Sequence, residues 1–255
     1  MKVLGFIPAR KGSKGVPNKN IKLIEGVPLL AYTVFTAQLA YNQGLLAEIF
    51  VSTDSRDYLR LLEPLGYSTN YLRPKELAED NSSTVKAIID ALDWLGNKGG
   101  GAFDAVMILQ PTAPFRTATH IKNAIDLFER NPEATCVAGI VRLGDTHPVR
   151  IKKLRNNIWL DDYCSHSVEN EPSRRQDIQP TVFLRNGTIY LTTVLNIMNK
   201  KLIRGNRVVG MEMDEANSIN IDNHLDFLTA TAFLHYPEFK DKLSFFNDLR
   251  KLYRL

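Results

Sequence analysis

The chain has 255 residues, 44% hydrophobic and 24% charged, with a formal net charge of +4 and a pI near 9.0. This basic excess is weaker than nucleic-acid binders show, and no apolar run approaches the ~18 residues of a membrane-spanning helix. The apolar stretch before Arg10 is too short for a signal-peptide core, and Cys136 and Cys164 form no C-x-x-C pair. A cytoplasmic, disulfide-free protein with no nucleic-acid or membrane partner is therefore expected.

Val3–Pro8 is a short apolar run ended by proline, the pattern of a buried parallel strand. Pro28–Gln43 has helical spacing of apolar residues, with Pro28 in the first turn and Gly44 as its stop. Glu48–Ser52 reads as a strand, Arg56–Leu65 as a helix closed by Gly66, and Tyr67–Leu72 as a weaker strand. Thr84–Leu95 is an amphipathic helix, Ala105–Leu109 a buried strand, His120–Arg130 a helix and Thr135–Val141 a strand. This alternation predicts βαβ units around a parallel sheet, with ligands at the carboxyl ends of the strands. Leu143–Leu184 breaks the rhythm: it is polar, turn-rich and long for a connection. Strands then return at Gly187–Thr192 and Arg207–Met213, and a helix at His224–Leu234. The expected organisation is a single domain over 1–255, with 143–184 as an inserted arm.

The basic residues are unevenly placed. Arg10, Lys11, Lys14, Lys19 and Lys22 occur with no acid among them, in a loop that follows the first strand. Gly12 and Gly15 allow backbone amides to approach an anion, Arg10 offers a fork to phosphate oxygens, and Lys14 and Lys19 add point charge. Neither the G-x-x-x-x-G-K-[ST] phosphate loop nor the G-x-G-x-x-G dinucleotide fingerprint fits here. A solvated basic loop is the alternative reading. Gln110–Arg116 follows the most apolar strand, with Pro111 and Pro114 stiffening it and holding Gln110 and Thr112 in place, and Arg116 suits an anchor for the loop. Near the end, Asn220 and Asp222 lie on one side of an extended segment. Asp222 reads as the cap of the following helix, and Asp226 as a cap or surface residue. The five histidines show no zinc spacing.

Ile7–Asn20 resembles the I-x-A-R-x-x-S-K-G-x-x-x-K-N signature of the acylneuraminate (sialic acid) cytidylyltransferases. Further blocks follow in the family's order: Ser52-Thr53-Asp54, Arg73–Asp80, Leu109–Arg116, Asn186–Tyr190 and Ser218–Phe227. The resemblance implies a Rossmann-like, three-layer α/β nucleotidyltransferase domain with a mostly parallel sheet and an arm used in homodimerisation. It implies transfer of CMP from CTP to an acidic nine-carbon sugar, releasing pyrophosphate, with Mg²⁺ as cofactor. Arg10, Lys14, Lys19 and Asp222 would be catalytic, and Arg10, Gly12, Ser13, Lys14, Lys19, Asn20 and Arg73 would hold the nucleotide. Gln110, Thr112, Arg175 and Tyr190 would meet the sugar, with Asp222 and Asn220 at the metal. The Arg73 block is equally readable as a helix-opening turn. The family usually has Asp-x-Asp where this chain has Asn220-Ile221-Asp222, so one carboxylate is missing from the implied metal site. Alternatives that keep the chemistry are pseudaminic, legionaminic or another keto-sugar acid. A sugar-nucleotide-dependent glycosyltransferase and a non-catalytic nucleotide-binding module are readings of other classes.

Overall fold

The computed structural model describes residues 1–12, 16–100, 102–144, 146–164, 174, 177–240 and 243–254. In β1 (Val3–Pro8), alternate side chains enter two separate cores: Val3 and Ile7 face one, Leu4 and Phe6 the other. A strand covered on both faces needs apolar residues at every position, and the run Val3–Ile7 supplies them. The loop after β1 leads through a 3-10 turn at Lys19–Ile21 into a small hairpin, β2 (Leu23–Ile24) and β3 (Val27–Pro28). Helix α1 (Leu29–Asn42) begins at Pro28 and is followed by Gly44 in the left-handed region at φ 73°.

The next strand, β4 (Glu48–Ser52), pairs in parallel with β1 and forms an edge of the sheet. The predicted helix over Arg56–Leu65 divides in two: α2 covers Arg56–Arg60, and a 3-10 turn covers Glu63–Leu65. Pro64 accounts for the break, because it has no N–H to donate to the preceding turn. Tyr67–Leu72 is not a strand. Its place on the edge of β4 is taken by a side chain: the Val51 amide donates to the Tyr67 hydroxyl at 2.8 Å. Helix α3 (Thr84–Asn97), capped by Ser83, and β5 (Ala105–Ile108), parallel to β1, follow as expected.

Helix α4 (Ala118–Arg130) leads to β6 (Cys136–Arg142). Within the 143–184 stretch, β7 (Lys152–Arg155) and β8 (Trp159–Asp162) form a hairpin outside the main sheet. The strand predicted at Gly187–Thr192 is longer, β9 (Phe183–Thr193), and runs antiparallel to both β5 and β6. After it come α5 (Val194–Lys200), β10 (Val208–Glu212), α6 (His224–His235), α7 (Pro237–Lys240) and α8 (Phe246–Leu252). The six-stranded sheet has the order β10-β6-β9-β5-β1-β4 and is parallel except for β9. One core joins it to α1, α4 and α8, and the other joins it to α3 and α5. This is a three-layer, Rossmann-like α/β fold.

The direction of β9 matters for the site. Because it runs against its neighbours, its early residues lie beside the carboxyl ends of β5 and β6. Its pairing with β6 shifts between Ala138, opposite Tyr190, and Ile140, opposite Arg185. The displaced residues bulge, and Asn186 Oδ1 closes the bulge by accepting from the Thr188 amide at 3.0 Å. Gly139 makes room for it, since a Cβ there would meet Asn186 Oδ1 at 2.6 Å.

Helix α4 opens with a reciprocal cap in which Thr117 Oγ1 accepts from His120 N at 3.3 Å and His120 Nδ1 accepts from Thr117 N at 3.0 Å. Burial lowers the His120 pKa from 6.5, with Asp214 acting in the opposite direction and Arg116 reinforcing it. The neutral ring is therefore the native form, and its contribution to stability is complete above the unfolded pKa and declines as pH falls through the window below 6.5. His120→Gln keeps a side chain able to cap but cannot titrate. Urea unfolding at pH 7 and pH 5 should show a smaller loss of stability on acidification for the variant than for the unaltered protein.

Candidate active site

The carboxyl ends of β1 and β5, with the segment that follows β4, surround a cleft of about 340 Å³. Arg10, Lys19, Asn20 and Arg73 line it together with Gln110 and Thr112, and so do Asp80, Ser82 and Thr84. The wall after β1 is tied down through its backbone. Asp54 Oδ1 accepts from the Lys11 amide at 2.8 Å, the Tyr58 hydroxyl donates to Lys11 O at 3.3 Å, and Asn20 Nδ2 donates to Arg10 O at 3.0 Å. Asp54 thus holds the basic loop, and the block Ser52-Thr53-Asp54 has a structural reason to be where it is. Gly12 stands in open space, where a Cβ would meet nothing within 4 Å. Ser13, Lys14, Gly15 and Arg175 lie outside the described residues.

Arg73 is buried, with Nε donating to Ser52 Oγ at 2.9 Å and Nη2 to Ser52 O at 2.6 Å. Burial pushes its pKa down, and the two oxygens of Ser52 offset that desolvation. It lines the cleft while bracing the end of β4, and the 3-10 turn Lys75–Leu77 opens two residues further on. Arg10 reaches across to the same segment: Nη1 lies 2.8 Å from Asp80 Oδ1 and donates to Ala78 O at 3.2 Å.

The opposite wall depends on Arg116, which has no exposed surface and carries no carboxylate partner among the described residues. Its Nε donates to Thr188 O at 2.9 Å, its Nη1 to Thr33 Oγ1 at 3.0 Å, and its Nη2 to Gln110 O. Burial lowers its pKa to about 9, which leaves the guanidinium charged at neutral pH. The next segment docks on this wall through two backbone contacts: Asn217 Nδ2 donates to Phe115 O at 2.7 Å, and Ile221 N donates to Thr112 O at 2.7 Å. Asn217 had no signal of its own in the sequence beyond its place just before the Ser218–Phe227 block.

Lys19 joins the two walls. Its Nζ donates to Ile221 O at 2.7 Å and to Asp222 Oδ1 at 2.9 Å. Asn220 Nδ2 donates to Asp222 Oδ2, so residues 220 and 222 do point to the same side. Asp222 does not cap α6. Asn223 is the cap, and Asp226 closes a capping box by accepting from the amides of Asp222 at 2.6 Å and Asn223 at 2.8 Å. Tyr190 lies within the sheet, opposite Ile108 and Ala138, and is not among the residues lining the cleft.

Among the described residues no cluster of three or more His, Cys, Asp or Glu side chains could hold a metal. Asn220 Oδ1 is nevertheless buried without a hydrogen-bond partner, and so is Thr112 Oγ1. Mg²⁺ takes few protein oxygens and completes its shell with water and substrate phosphate, and the exposed Asp222 carboxylate is of the kind it binds. Asn220 turns its Nδ2, not its Oδ1, toward that carboxylate, so its amide would have to turn over to join Asp222 at such an ion.

A Rossmann-like sheet with cations and oxygen acceptors facing each other across its carboxyl edge defines a nucleotide-handling α/β domain. A family model described as cytidylyltransferase matches residues 4–200, and the chain belongs to that family. It is 32% identical over 227 residues to an N-acylneuraminate cytidylyltransferase of Escherichia coli, covering 89% of this chain and 50% of that protein. It is 29% identical over 233 residues to a CMP-N,N'-diacetyllegionaminic acid synthase of Legionella pneumophila, covering 89% of this chain and 94% of that one. The chain thus spans about half the length of the first relative and nearly all of the second. A solved CMP:2-keto-3-deoxy-manno-octonic acid synthetase, complexed with CTP, superposes with a TM-score of 0.65 at 15% identity over 92% of this chain and 99% of that one. At that identity the likeness is one of fold.

Replacing Arg116 by Met would take its side-chain donor from the Thr188 carbonyl and leave Gln110 O with the Ala113 amide at 3.2 Å. Stability should fall by roughly 2 kcal/mol, since a buried unpaired acceptor costs about 1–3 kcal/mol. Urea titration should show a lower midpoint with an unchanged m-value.

Proposed function

We propose that this protein transfers CMP from CTP to a sialic-type nonulosonic acid, releasing pyrophosphate. The observation that carries the reading is that Arg10, Lys19 and Asn20 line one cleft with Gln110 and Thr112, in a chain of the cytidylyltransferase family. The relatives named for N-acylneuraminate and diacetyllegionaminic acid support an acidic nine-carbon sugar as acceptor, and the first of them favours the sialic type.

In the proposed reaction the sugar's anomeric hydroxyl oxygen attacks the α-phosphorus. The bond from that phosphorus to the β-phosphate oxygen breaks, pyrophosphate takes the electron pair, and the hydroxyl proton is released. Such transfers depend on positioning and charge stabilisation, not on a protein nucleophile. Arg10, Lys14 and Lys19 supply cations for the phosphates, while Gly12, Ser13 and Asn20 supply backbone or amide contacts. Arg73, fixed on Ser52, shapes the nucleotide side. Gln110 and Thr112 face the sugar, and the unpartnered Thr112 hydroxyl suits a sugar oxygen or hydroxyl. Arg175 and Tyr190 are proposed for the far side of the sugar. Mg²⁺ held by Asp222 and Asn220 would offset charge on the phosphates.

Residues 143–184 are proposed as an arm inserted in one domain and used in a homodimer. Leu154 and Leu160 are cross-strand partners in the β7–β8 hairpin, 61% and 71% exposed, and Trp159 beside them is 60% exposed. An exposed apolar pair on a short hairpin is what a partner surface covers. Localisation in the cytoplasm accords with a nucleotide substrate, and no helix among the described residues is long and apolar enough to cross a membrane.

The decisive assay is pyrophosphate release from CTP with a panel of nonulosonic acids. Release with N-acetylneuraminic acid above pseudaminic and legionaminic acids is expected; tight CTP binding with no release for any acid would overturn the reading. Lys14→Ala and Lys19→Ala should each lower kcat/KM by at least ~10²-fold. For the arm, Leu160→Asp should shift the protein from dimer to monomer in sedimentation velocity, with circular dichroism confirming that it remains folded.

A further inference from the structure

Four side chains form a hydrogen-bonded line from the cleft to helix α3. Arg73 Nε donates to Ser52 Oγ at 2.9 Å, Ser52 Oγ lies 3.4 Å from the Tyr71 hydroxyl, and that hydroxyl donates to Asp90 Oδ2 at 2.5 Å. Ser52, Tyr71 and Arg73 are buried, and Asp90 is half-buried on α3. The two ends fix the direction of every proton, because a guanidinium can only donate and an ionised carboxylate can only accept. The single proton of Tyr71 is committed to Asp90, so its oxygen accepts from Ser52, and Ser52 Oγ in turn accepts from Arg73. Hydrogen bonds aligned in this way strengthen one another. The phenol ring is itself held, with its centroid 4.7 Å from that of Phe50 and 5.6 Å from that of Trp94. Arg73 touches no carboxylate among the described residues. Burial acts against its charge, and so does Arg10, whereas Tyr71, Asp54 and Asp90 favour it.

Two attachments hold the Arg73 guanidinium. Nη2 donates to Ser52 O, a backbone atom of β4, at 2.6 Å. Nε depends on Ser52 Oγ, which can turn about χ1 unless its own proton is engaged. Nη1 has no partner among the described residues, and Arg73 lines the cleft. We infer that Tyr71 and Asp90 are positioning residues of the nucleotide site: through Ser52 they fix the guanidinium of Arg73 and leave Nη1 to CTP. The inference rests on the CTP reading of the cleft. It makes a carboxylate on α3 strengthen the binding of an anion. A negative charge near a polyphosphate weakens binding by repulsion alone, so a favourable effect of Asp90 has to come through the hydroxyls that join it to Arg73.

The test titrates CTP calorimetrically into the full chain with Mg²⁺ and no sugar. Tyr71→Phe removes the hydroxyl and keeps the ring, and Asp90→Asn removes the charge and keeps the shape. Each should weaken CTP binding about 3- to 10-fold, the worth of one hydrogen bond. In steady-state assays the loss should fall on KM for CTP, with KM for the sugar acid unchanged. The double variant should bind CTP no more weakly than Tyr71→Phe alone, because Asp90 acts only through that hydroxyl. Thermal melts show whether the variants are folded, and the sign of the change in Asp90→Asn decides the matter if Tyr71→Phe is not. CTP binding that is unchanged or tighter in Asp90→Asn overturns the inference, as do losses that add in the double variant; the nucleotide reading survives both results. The absence of CTP binding by the unaltered protein overturns the nucleotide reading, and this inference with it.

Discussion

A single buried guanidinium determines the shape of the cleft. Arg116 is fully enclosed, and its donors end on oxygens from α1, from the loop after β5 and from β9. A charge so placed is costly unless every donor is met, so these three segments cannot separate without exposing it to an unpaired state. The loop Gln110–Phe115 is held at its base by Arg116 and presents its carbonyls outward. Phe115 O and Thr112 O then become fixed acceptors for Asn217 and for the Ile221 amide. The position of Asp222, and through it that of Lys19, is thus inherited from a residue that touches neither.

The antiparallel strand β9 contributes the other half of the constraint. A parallel strand in its place would carry Asn186 and Gly187 away from the carboxyl edge. Running the other way, β9 enters the sheet at that edge, and its bulge brings Gly187 near both Gln110 and Asn220: a Cβ there would lie 3.5 Å from Gln110 Oε1 and 3.7 Å from Asn220 Oδ1. Gly187 has φ 70°, a conformation that residues with a Cβ adopt only at a cost. The glycine is therefore required by the backbone turn, with ordinary packing space above it.

Periodicity and punctuation revealed most of the elements. The runs Val3–Pro8 and Ala105–Leu109 and the helix over Thr84–Leu95 are legible because burial on a regular element leaves a regular pattern, whereas α1 is buried nearly all round and α6 buries only Ala230, so that Pro28 and Gly44 mark the one and the Asn223 cap the other. Tyr67–Leu72 was misleading because its apolar residues serve other ends: the Tyr67 hydroxyl satisfies an edge amide, and the ring of Tyr71 packs against Phe50 and Trp94. The direction of β9 was not legible, since alternation has no sign and only the partners decide whether a strand runs up or down. The basic loop was found by its charge, and Asn220 by its departure from a familiar pair. The anchoring role of Asp54 and the docking role of Asn217 were hidden, because both act on backbone groups and any residue can own a backbone group.

The charged residues of the cleft fall into two kinds according to what their partners are. Arg73 and Arg116 are buried and bonded to carbonyls and hydroxyls inside the walls. Their removal would unmake the walls, so they cannot be released to a ligand. Arg10 and Lys19 face carboxylates that are themselves 48% and 66% exposed. Ion pairs with so much water at one partner contribute only about 0–1 kcal/mol, so a phosphate oxygen can displace the carboxylate at little cost while the cation stays in place. The pairs keep Arg10 and Lys19 ordered at the cleft before a ligand arrives, which lowers the entropy lost on binding. Burial of the partner, more than the identity of the basic residue, separates the cations fixed inside the walls from those paired at the mouth of the cleft.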